Sequence, residues 1–288
     1  MHYNEPITEA QIHDFIVAAL HEDVREGDHT CLACVPLHKR DRAVLKVKQD
    51  GVLAGINIAQ AVFTHVDKTS TVKIIKHDGD EIKVGDIALE VECTTHALLQ
   101  AERLILNTMQ RMSGIATASR RYVDAIKDLP VQLLDTRKTT PLLRFLEKYA
   151  VRIGGATNYR YGLYDRIMIK DNHADACGGL TLAINSTLNY LNTNNLDLGI
   201  TVEVRNIAEL QEVLATQAQV QVMLDNFTIE NLREAVRIVD KRLPTEASGG
   251  VTLATLRTIA ETGVDFISVG ALTHSAGCLD LSLKIIKK

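Results

Sequence analysis

The sequence feature that most constrains the fold is a repeat in which a short apolar run is followed by polar residues and then by an amphipathic segment. Six such runs follow residue 130: Val131–Leu134, Ile167–Ile169, Ile200–Val204, Val220–Leu224, Thr245–Ala247 and Phe266–Val269. Short apolar runs that alternate with helical segments are typical of buried parallel strands. The repeat therefore predicts an α/β barrel or an open α/β sheet, with six strand–helix units where a full barrel has eight.

Helix start signals lie between these runs. Thr228 and Thr252 each precede a segment with helical apolar spacing, and each is predicted to cap a helix. After the first run, Thr140 is predicted to cap a helix with Pro141 in its first position. The buried stripe of that helix would consist of Leu142, Leu146, Tyr149 and Ile153.

The first part of the chain predicts a smaller α+β domain. Thr8 and Gln11 form a capping-box pattern before an amphipathic helix. From Ala43 to Cys93, alternating residues and turn signals predict the strands of an open sheet, interrupted by a helix at Ile56–His65.

A strong helix is predicted over residues 95–112, and Ser113-Gly114 is predicted to break it before a second helix at Ile115–Lys127. Arg103 lies off the apolar stripe of the first helix, so it is either a solvated surface residue or one that reaches into a neighbouring molecule. We expect an N-terminal domain at residues 1–114, joined by residues 276–288, and a catalytic domain at residues 115–275.

Composition excludes several classes of function. The net charge is −4, so no broad basic surface for nucleic acid is implied. Residues 1–5 lack the pattern of a signal peptide, and no apolar run reaches the roughly 18 residues that a membrane span needs. Five scattered cysteines favour reduced thiols in a cytoplasm, although Cys31 and Cys34 form a C-x-x-C that leaves a metal or redox role open.

Two consecutive strand ends near the C-terminus predict a phosphate site. The segment Glu246–Gly250 runs from an apolar strand into two glycines and a helix, and Ser268–His274 repeats the arrangement one unit later. Glycines let backbone N–H groups approach an anion, and phosphate in α/β barrels sits at the last two strand–helix loops. Tight turns without a ligand are the competing interpretation.

Charged residues end the other strands. Glu203 and Asp225 end neighbouring strands and predict Mg²⁺ held jointly with phosphate or sugar oxygens, with structural salt bridges to Arg205 or Lys170 as the alternative. Four basic residues are expected at the same mouth, where they need an anionic ligand: Arg137, Lys138, Arg160 and Lys170. Lys170 could alternatively form a Schiff base, and His173 is interpreted as a structural hydrogen-bonding residue.

Ordered motifs along nearly the whole chain resemble those of the quinolinate phosphoribosyltransferase family. The motifs are EDVREGDHT, DGVLAG, AERLILNTMQRMSGIAT, DTRKTTP, LEKYAV, IKDNH, VEV, LDN, EASGG and GVDFISVGALTHS. The resemblance implies an N-terminal open-faced sandwich domain followed by an incomplete six-stranded α/β barrel. It also implies a homodimer, or a higher assembly of dimers, in which the sandwich of one subunit covers the barrel of the other.

The resemblance further implies that quinolinate and 5-phosphoribosyl 1-pyrophosphate give nicotinate mononucleotide, pyrophosphate and CO₂, with Mg²⁺ and without an organic cofactor. Quinolinate would contact Arg137, Tyr159, Arg160 and Lys170, together with Arg103 of the neighbouring subunit. The phosphoribosyl substrate would contact Lys138, Glu203, Asp225, Ser248, Gly249, Gly250, Gly270, Ala271 and His274. The groups expected to act in the chemistry are Lys138, Lys170, Glu203 and Asp225.

One position departs from the family pattern. The family has Asn-His-Arg where this chain has Asn158-Tyr159-Arg160, and Ala156 replaces a usual glycine. Tyr can donate a hydrogen bond, but it cannot carry a positive charge near neutral pH. The departure leaves open a related phosphoribosyltransferase-like family of molybdenum transport with another acceptor, besides a Schiff-base barrel lyase that uses Lys170.

Overall fold

The computed structural model describes residues 6–286 of the chain. Residues 1–5, on which the signal-peptide expectation rests, and residues 287–288, which are expected to join the N-terminal domain, lie outside the described residues. The described residues form two compact units. The parallel unit comprises residues 121–139 and 156–275, and the antiparallel unit comprises residues 6–120, 140–155 and 276–286.

The strands are β1 (Arg40–Val47), β2 (Gly51–Val52), β3 (Thr71–Ile74), β4 (Glu81–Ile82), β5 (Ile87–Thr94), β6 (Gln132–Leu134), β7 (Ile167–Ile169), β8 (Ile200–Val204), β9 (Gln221–Asp225), β10 (Thr245–Ser248), β11 (Phe266–Ser268) and β12 (Leu281–Ile285). The helices are α1 (Glu9–Asp23), α2 (His29–Cys34), α3 (Ile56–Val66), α4 (Thr95–Asp124), α5 (Arg144–Ile153), α6 (Asp171–Cys177), α7 (Leu180–Asn194), α8 (Ile207–Ala215), α9 (Ile229–Val239), α10 (Leu253–Ala260) and α11 (Ala271–His274). None of the helices within residues 6–286 is long and apolar enough to cross a membrane.

The parallel unit contains a six-stranded parallel sheet in the order β6-β11-β10-β9-β8-β7. All six apolar runs predicted as strands are strands in this sheet. β6 and β7 are its two edges, so the described sheet is an incomplete barrel of six strands, as expected. Apolar residues of the central strands, such as Val202, Val222 and Leu224, are fully buried.

The helix caps predicted in this unit are confirmed. The side chain of Thr228 accepts a hydrogen bond from the N–H of Asn231 at the start of α9. Thr252 accepts one from the N–H of Thr255 at the start of α10. Because each cap satisfies a free N–H of the first turn, each fixes where the loop after a strand ends and the helix begins.

The antiparallel unit contains a four-stranded sheet in the order β12-β1-β5-β3 and a separate pair, β2-β4. Alternation in β1 buries Ala43, Leu45 and Val47 and leaves the intervening Val44 and Lys46 partly exposed. At the start of α1 the capping box of Thr8 and Gln11 is present, as predicted.

The predicted break at Ser113-Gly114 is wrong, because α4 continues through it to Asp124. Ser113 accepts a hydrogen bond from the N–H of Ala54 (3.0 Å). A Cβ at Gly114 would collide with the carbonyl oxygen of Gly277. The two small residues therefore allow other segments of the antiparallel unit to approach the helix closely.

The predicted helix start at Thr140 and Pro141 is also wrong, because α5 begins at Arg144. Thr140 donates its N–H and its hydroxyl to the carboxylate of Glu147 (3.2 and 2.8 Å). Leu142 has a φ of +66° and is 93% exposed, so it cannot belong to the helix or to a buried stripe. Leu146 is buried, as predicted.

Candidate active site

A cavity of about 780 Å³ lies at the carboxyl ends of the six parallel strands. It is lined by all of the predicted site residues that belong to the parallel unit. They are Arg137, Lys138, Tyr159, Arg160, Lys170, Glu203, Asp225, Ser248, Gly249, Gly250, Gly270, Ala271 and His274. The structure therefore brings both predicted anion-binding groups of residues to one cavity.

Eight further lining residues were not named as site residues from the sequence, although Ser268 opens the segment predicted to form part of the phosphate site. They are Thr136, Met168, Met223, Asn226, Val251, Thr252, Ser268 and Ser275. Met168, Met223 and Ser268 lie inside strands, where such residues look like ordinary core positions. Successive side chains of a strand point to opposite faces, so alternation along the strand was the one available signal that these residues face the cavity.

Asp135 fixes the loop that carries Tyr159 and Arg160. This fully buried carboxylate accepts hydrogen bonds from the side-chain amide of Asn158 (2.7 Å) and from the N–H of Tyr159 (2.8 Å). The backbone of Thr157 also bonds to Leu133 and Asp135, so the loop extends the edge of the sheet beside β6. This arrangement holds Arg160 near Arg137, which follows the same strand.

The two arginines form an electropositive part of the cavity. Burial lowers the pKa of Arg160, and the positive charge of Arg137 lowers it further. The Nε of Arg137 is buried and has no hydrogen-bond partner within residues 6–286. An anionic ligand would compensate the two positive charges. It would also accept a hydrogen bond from the Nε–H of Arg137.

Lys170 and Glu203 form an ion pair across neighbouring strands, with 2.7 Å between Nζ and Oε2. This is one of the two salt bridges considered from the sequence. The other alternative is wrong, since Arg205 pairs with Asp175 and Glu209. His173 accepts a hydrogen bond at Nδ1 from the N–H of Lys170 (3.0 Å), which confirms its structural interpretation.

The carboxylates of Glu203 and Asp225 fit Mg²⁺ only as part of a shared site. β8 and β9 pair directly, and Glu203 and Asp225 lie near the ends of these strands. The amide of Asn226 donates to Oδ2 of Asp225 (2.7 Å) and thereby orients the carboxylate. No group of three or more Asp, Glu, His or Cys side chains could hold a metal ion in the part of the chain described. Two carboxylates suit Mg²⁺ that takes its other ligands from substrate oxygens and water.

Two glycine-containing loops line the other part of the cavity. Gly249 and Gly250 have φ values of +93° and +60°, and a Cβ at Gly249 would collide with the side chain of Asn226. Space near Gly250 is open, with no atom within 4 Å of a Cβ built there. At Gly270 a Cβ would lie 3.1 Å from both His274 and Lys138. Bare backbone at both loops lets N–H groups approach an anion.

Tyr159 has its hydroxyl in a buried polar network. The hydroxyl lies 2.6 Å from Oγ1 of Thr201 and accepts a hydrogen bond from the amide of Gln221 (3.3 Å). Burial, followed by the nearby carboxyl of Glu246, raises the pKa of Tyr159 well above its ordinary value. The side chain is therefore a neutral member of the cavity wall, and its ring packs with Leu134 and Met223.

Two sets of predicted residues lie outside this cavity. Arg103 is exposed on α4 in the antiparallel unit. Cys31 is buried and Cys34 is exposed, and neither forms a disulfide. Burial raises the pKa of Cys31 to about 11, which disfavours the thiolate that metal or redox chemistry requires.

The fold and the cavity together define an α/β enzyme that binds anionic substrates at the strand ends of an incomplete barrel. Two family models match the chain. They are the N-terminal domain of quinolinate phosphoribosyl transferase, over residues 28–113, and its C-terminal domain, over residues 115–284. The chain belongs to the quinolinate phosphoribosyltransferase family.

Individual relatives agree with this membership. Quinolinate phosphoribosyltransferase [decarboxylating] 1b of Nicotiana tabacum is 45% identical over 94% of this chain and 81% of its own length. Nicotinate-nucleotide pyrophosphorylase [carboxylating] of Arabidopsis thaliana, a protein described as chloroplastic, is 44% identical over the same shares. The crystal structure of NadC from Streptococcus pyogenes matches with a TM-score of 0.92 and 38% identity, covering 99% of this chain and 100% of that one.

Proposed function

We propose that the protein transfers the phosphoribosyl group of 5-phosphoribosyl 1-pyrophosphate to quinolinate and decarboxylates the product. Nicotinate mononucleotide, pyrophosphate and CO₂ would result, which is a step of de novo NAD biosynthesis. The observation that carries the proposal is one cavity that joins four cations to two strand-end carboxylates and two glycine loops. Family membership favours this transferase over the lyase and molybdenum-transport alternatives.

Quinolinate is assigned to the cationic part of the cavity. Arg137 and Arg160 would pair with its carboxylates, because a planar guanidinium matches a carboxylate with two parallel hydrogen bonds. Lys170 is paired with Glu203 and retains two further N–H donors for the ligand. A dicarboxylate could not be buried here without such cations, because desolvating its charges would cost more than other contacts return.

The phosphoribosyl substrate is assigned to the remaining lining residues. Ser248, Gly249 and Gly250 would hold the 5′-phosphate from one side, with Gly270, Ala271 and His274 on the other. Lys138 lies beside Gly270, where it can approach the pyrophosphate. Glu203 and Asp225 would bind the ribose hydroxyls.

Glu203 and Asp225 would also hold Mg²⁺ through oxygens that they share with the substrate. When bound, the ion would supply positive charge that stabilises departing pyrophosphate. Lys138 adds its own charge at the same leaving group. The cavity fixes the pyridine nitrogen against the anomeric carbon, which develops positive charge as pyrophosphate leaves. After the nitrogen has attacked, its positive charge lets the adjacent carboxylate leave as CO₂.

A homodimer belongs to the same proposal, either alone or within a higher assembly of dimers. Arg103 is exposed on the antiparallel unit, so it can serve the cavity of a second copy. A cytoplasmic location is proposed as well, and the five unpaired cysteines support it. Plant relatives described as chloroplastic or mitochondrial show that other compartments occur in the family.

The experiment that tests the proposal measures three products from quinolinate, 5-phosphoribosyl 1-pyrophosphate and Mg²⁺. We expect nicotinate mononucleotide, pyrophosphate and CO₂ in equal amounts, and no product after chelation of the metal. The proposal would be wrong if pyrophosphate were released without any dependence on quinolinate.

A further inference from the structure

A buried carboxyl group lies directly behind the wall of the cavity. Glu246, in β10, is fully buried. Its Oε2 accepts a hydrogen bond from the amide of Gln221 (2.6 Å), and its Oε1 accepts one from the hydroxyl of Ser268. The roles proposed above use neither Glu246 nor Ser268.

Ser268 connects this carboxyl group to the cavity. It is the last residue of β11, it is 7% exposed, and it lines the same cavity as Arg137 and Arg160. A hydroxyl can donate one hydrogen bond and accept others, so Ser268 can pass a proton from Glu246 to a group inside the cavity. The path contains one relay atom and needs no water.

Burial shifts the Glu246 carboxyl towards its protonated form. Burial raises the pKa of Glu246, while hydrogen bonds from Ser268, Tyr159 and Gln221 and the charge of Arg166 act in the opposite direction. The guanidinium of Arg166 is itself bound to Thr201 (2.8 Å) and to the side-chain oxygen of Gln221 (3.0 Å). A carboxyl group whose pKa is raised by burial is a better candidate for a proton donor than an exposed one.

The proposed reaction requires a proton inside this cavity. When CO₂ leaves, the electron pair of the broken carbon–carbon bond stays on the ring carbon next to the positive nitrogen. That carbon can recapture CO₂ until it receives a proton, so net release of CO₂ waits for the proton transfer.

We propose that Ser268 donates this proton to the ring carbon and that Glu246 replaces it on the Ser268 hydroxyl. The inference rests on the proposed function. One C–C bond and the O–H bond of Ser268 break, and one C–H bond forms. The protonated carboxyl of Glu246 then gives its proton to the Ser268 oxygen and is left as the carboxylate that accepts the Ser268 hydrogen bond. Solvent returns a proton to Glu246 once the product has left, so no oxidant or reductant is involved.

Other proton carriers of the cavity have different partners. Lys170 is paired with Glu203, and Nδ1 of His274 is bonded to the hydroxyl of Ser275 (2.6 Å). Lys138 and His274 both flank Gly270, in the loop assigned to phosphate. Tyr159 also bonds to Glu246, but its hydroxyl lies in the buried network with Thr201 and Gln221. Ser268 is therefore the residue proposed to connect the buried acid with the cavity.

The test separates the two chemical steps by measuring pyrophosphate and CO₂ independently in a single turnover. In the wild type we expect both to appear together. In Ser268→Ala we expect pyrophosphate at a nearly normal rate, CO₂ release slowed by about 100-fold, and transient accumulation of the carboxylated nucleotide. Glu246→Gln keeps the size of the side chain but removes the acid, and it should show the same separation.

A solvent isotope effect distinguishes proton transfer from a structural role. In D₂O the wild type should release CO₂ more slowly while pyrophosphate release is unchanged, and the effect should change in Ser268→Ala. The matched control is Thr201→Val, which removes a buried hydroxyl from the same network without touching Ser268 or Glu246. In this control, pyrophosphate and CO₂ should still be released at the same rate.

Either of two outcomes would overturn the relay. One is CO₂ release that keeps pace with pyrophosphate release in Ser268→Ala, and the other is an equal separation of the two steps in Thr201→Val. A failure of the proposed function looks different, because the wild type itself would then release no pyrophosphate that depends on quinolinate.

Discussion

Tyr159 shows how a single side chain can belong to both the cavity and the interior. Its ring lines the cavity, while its hydroxyl is bonded to Thr201 and Gln221 of the central strands. A family histidine at this place could carry a charge, but the buried tyrosine stays neutral because its pKa is raised. Under the proposed assignment, recognition of the acceptor's negative charge would fall to Arg137, Arg160 and Lys170.

Removal of the Tyr159 hydroxyl should cost stability more than it costs ligand binding. Tyr159→Phe leaves the amide of Gln221 and the hydroxyl of Thr201 without this partner, and we expect a loss of about 1–2 kcal/mol in the free energy of unfolding. Urea denaturation followed by circular dichroism measures that loss. An unchanged unfolding midpoint would show that the hydroxyl contributes nothing to the network.

Arg137→Ala should abolish measurable binding of quinolinate and spare that of 5-phosphoribosyl 1-pyrophosphate. The variant removes a partly buried guanidinium that would pair with a carboxylate, a change that costs about 2–5 kcal/mol in comparable pairs. Isothermal calorimetry with each ligand separately provides the measurement. Arg205→Ala, whose guanidinium pairs with Asp175 and Glu209 outside the cavity, is the control. Retained quinolinate affinity in Arg137→Ala would count against the assignment.

Cysteine reactivity should follow burial. Burial raises the pKa values of Cys31 and Cys93 to about 11, so both thiols stay protonated near pH 8, where the exposed Cys34, Cys177 and Cys278 can react. Mass spectrometry after brief treatment with iodoacetamide should find the exposed three modified first. Rapid labelling of Cys31 would contradict its burial and would again favour a metal or redox role for Cys31 and Cys34.

Among the secondary-structure elements, α4 shows where local sequence rules fail. Ser113-Gly114 looks like a helix terminator because glycine weakens helices. The reason for the small residues is instead the approach of Ala54 and Gly277, which lie far away in the sequence. Local signals succeeded where the partner is local, as in the caps formed by Thr228 and Thr252. They failed at Thr140, whose N–H and hydroxyl bind Glu147.

Gly114→Ala should destabilise the protein even though alanine favours a helix. In an isolated helix the change would gain about 1 kcal/mol. Here the added Cβ collides with the Gly277 carbonyl, and we expect a net loss of about 2 kcal/mol, a typical cost of overpacking. Thermal denaturation measures the sign.

Gly277→Ala is the matched control for Gly114→Ala, since a Cβ at position 277 would meet no atom within 4 Å. This variant should unfold within a few tenths of a kcal/mol of the wild type, as open surface changes usually do. Stabilisation by Gly114→Ala would disprove the close approach.

For the molecule as a whole, the strand ends were predictable and the interior was not. Charged and glycine residues after apolar runs indicated most of the 13 predicted lining residues, because parallel strands bring their carboxyl ends to the same edge. Tyr159 and Ala271 were assigned only through the resemblance to the family. Ser268, Met168 and Met223 were not named as site residues because they lie within short apolar runs, where alternation along the strand was the one signal of the side that each residue faces. The sequence allowed a salt bridge to either Lys170 or Arg205. The positions of β7 and β8 show that Glu203 pairs with Lys170.

The proposed homodimer predicts that two inactive variants complement each other. Arg103→Ala would disable the contribution to a neighbour's cavity, and Arg137→Ala would disable a subunit's own cavity. A mixed dimer of these chains contains one intact site, so random re-pairing should restore about a quarter of wild-type activity. Each variant mixed with wild type is the control for exchange of subunits. No recovery after proven exchange would contradict a shared site.

The most direct measurement of the central claim is turnover with quinolinate and nicotinate offered in parallel, each with 5-phosphoribosyl 1-pyrophosphate and Mg²⁺. Three cations of the cavity, Arg137, Arg160 and Lys170, suit two carboxylates rather than one. We therefore expect nicotinate mononucleotide and CO₂ from quinolinate, and negligible product from nicotinate. Product from nicotinate alone, or binding of 5-phosphoribosyl 1-pyrophosphate without turnover of quinolinate, would contradict the assignment of the acceptor.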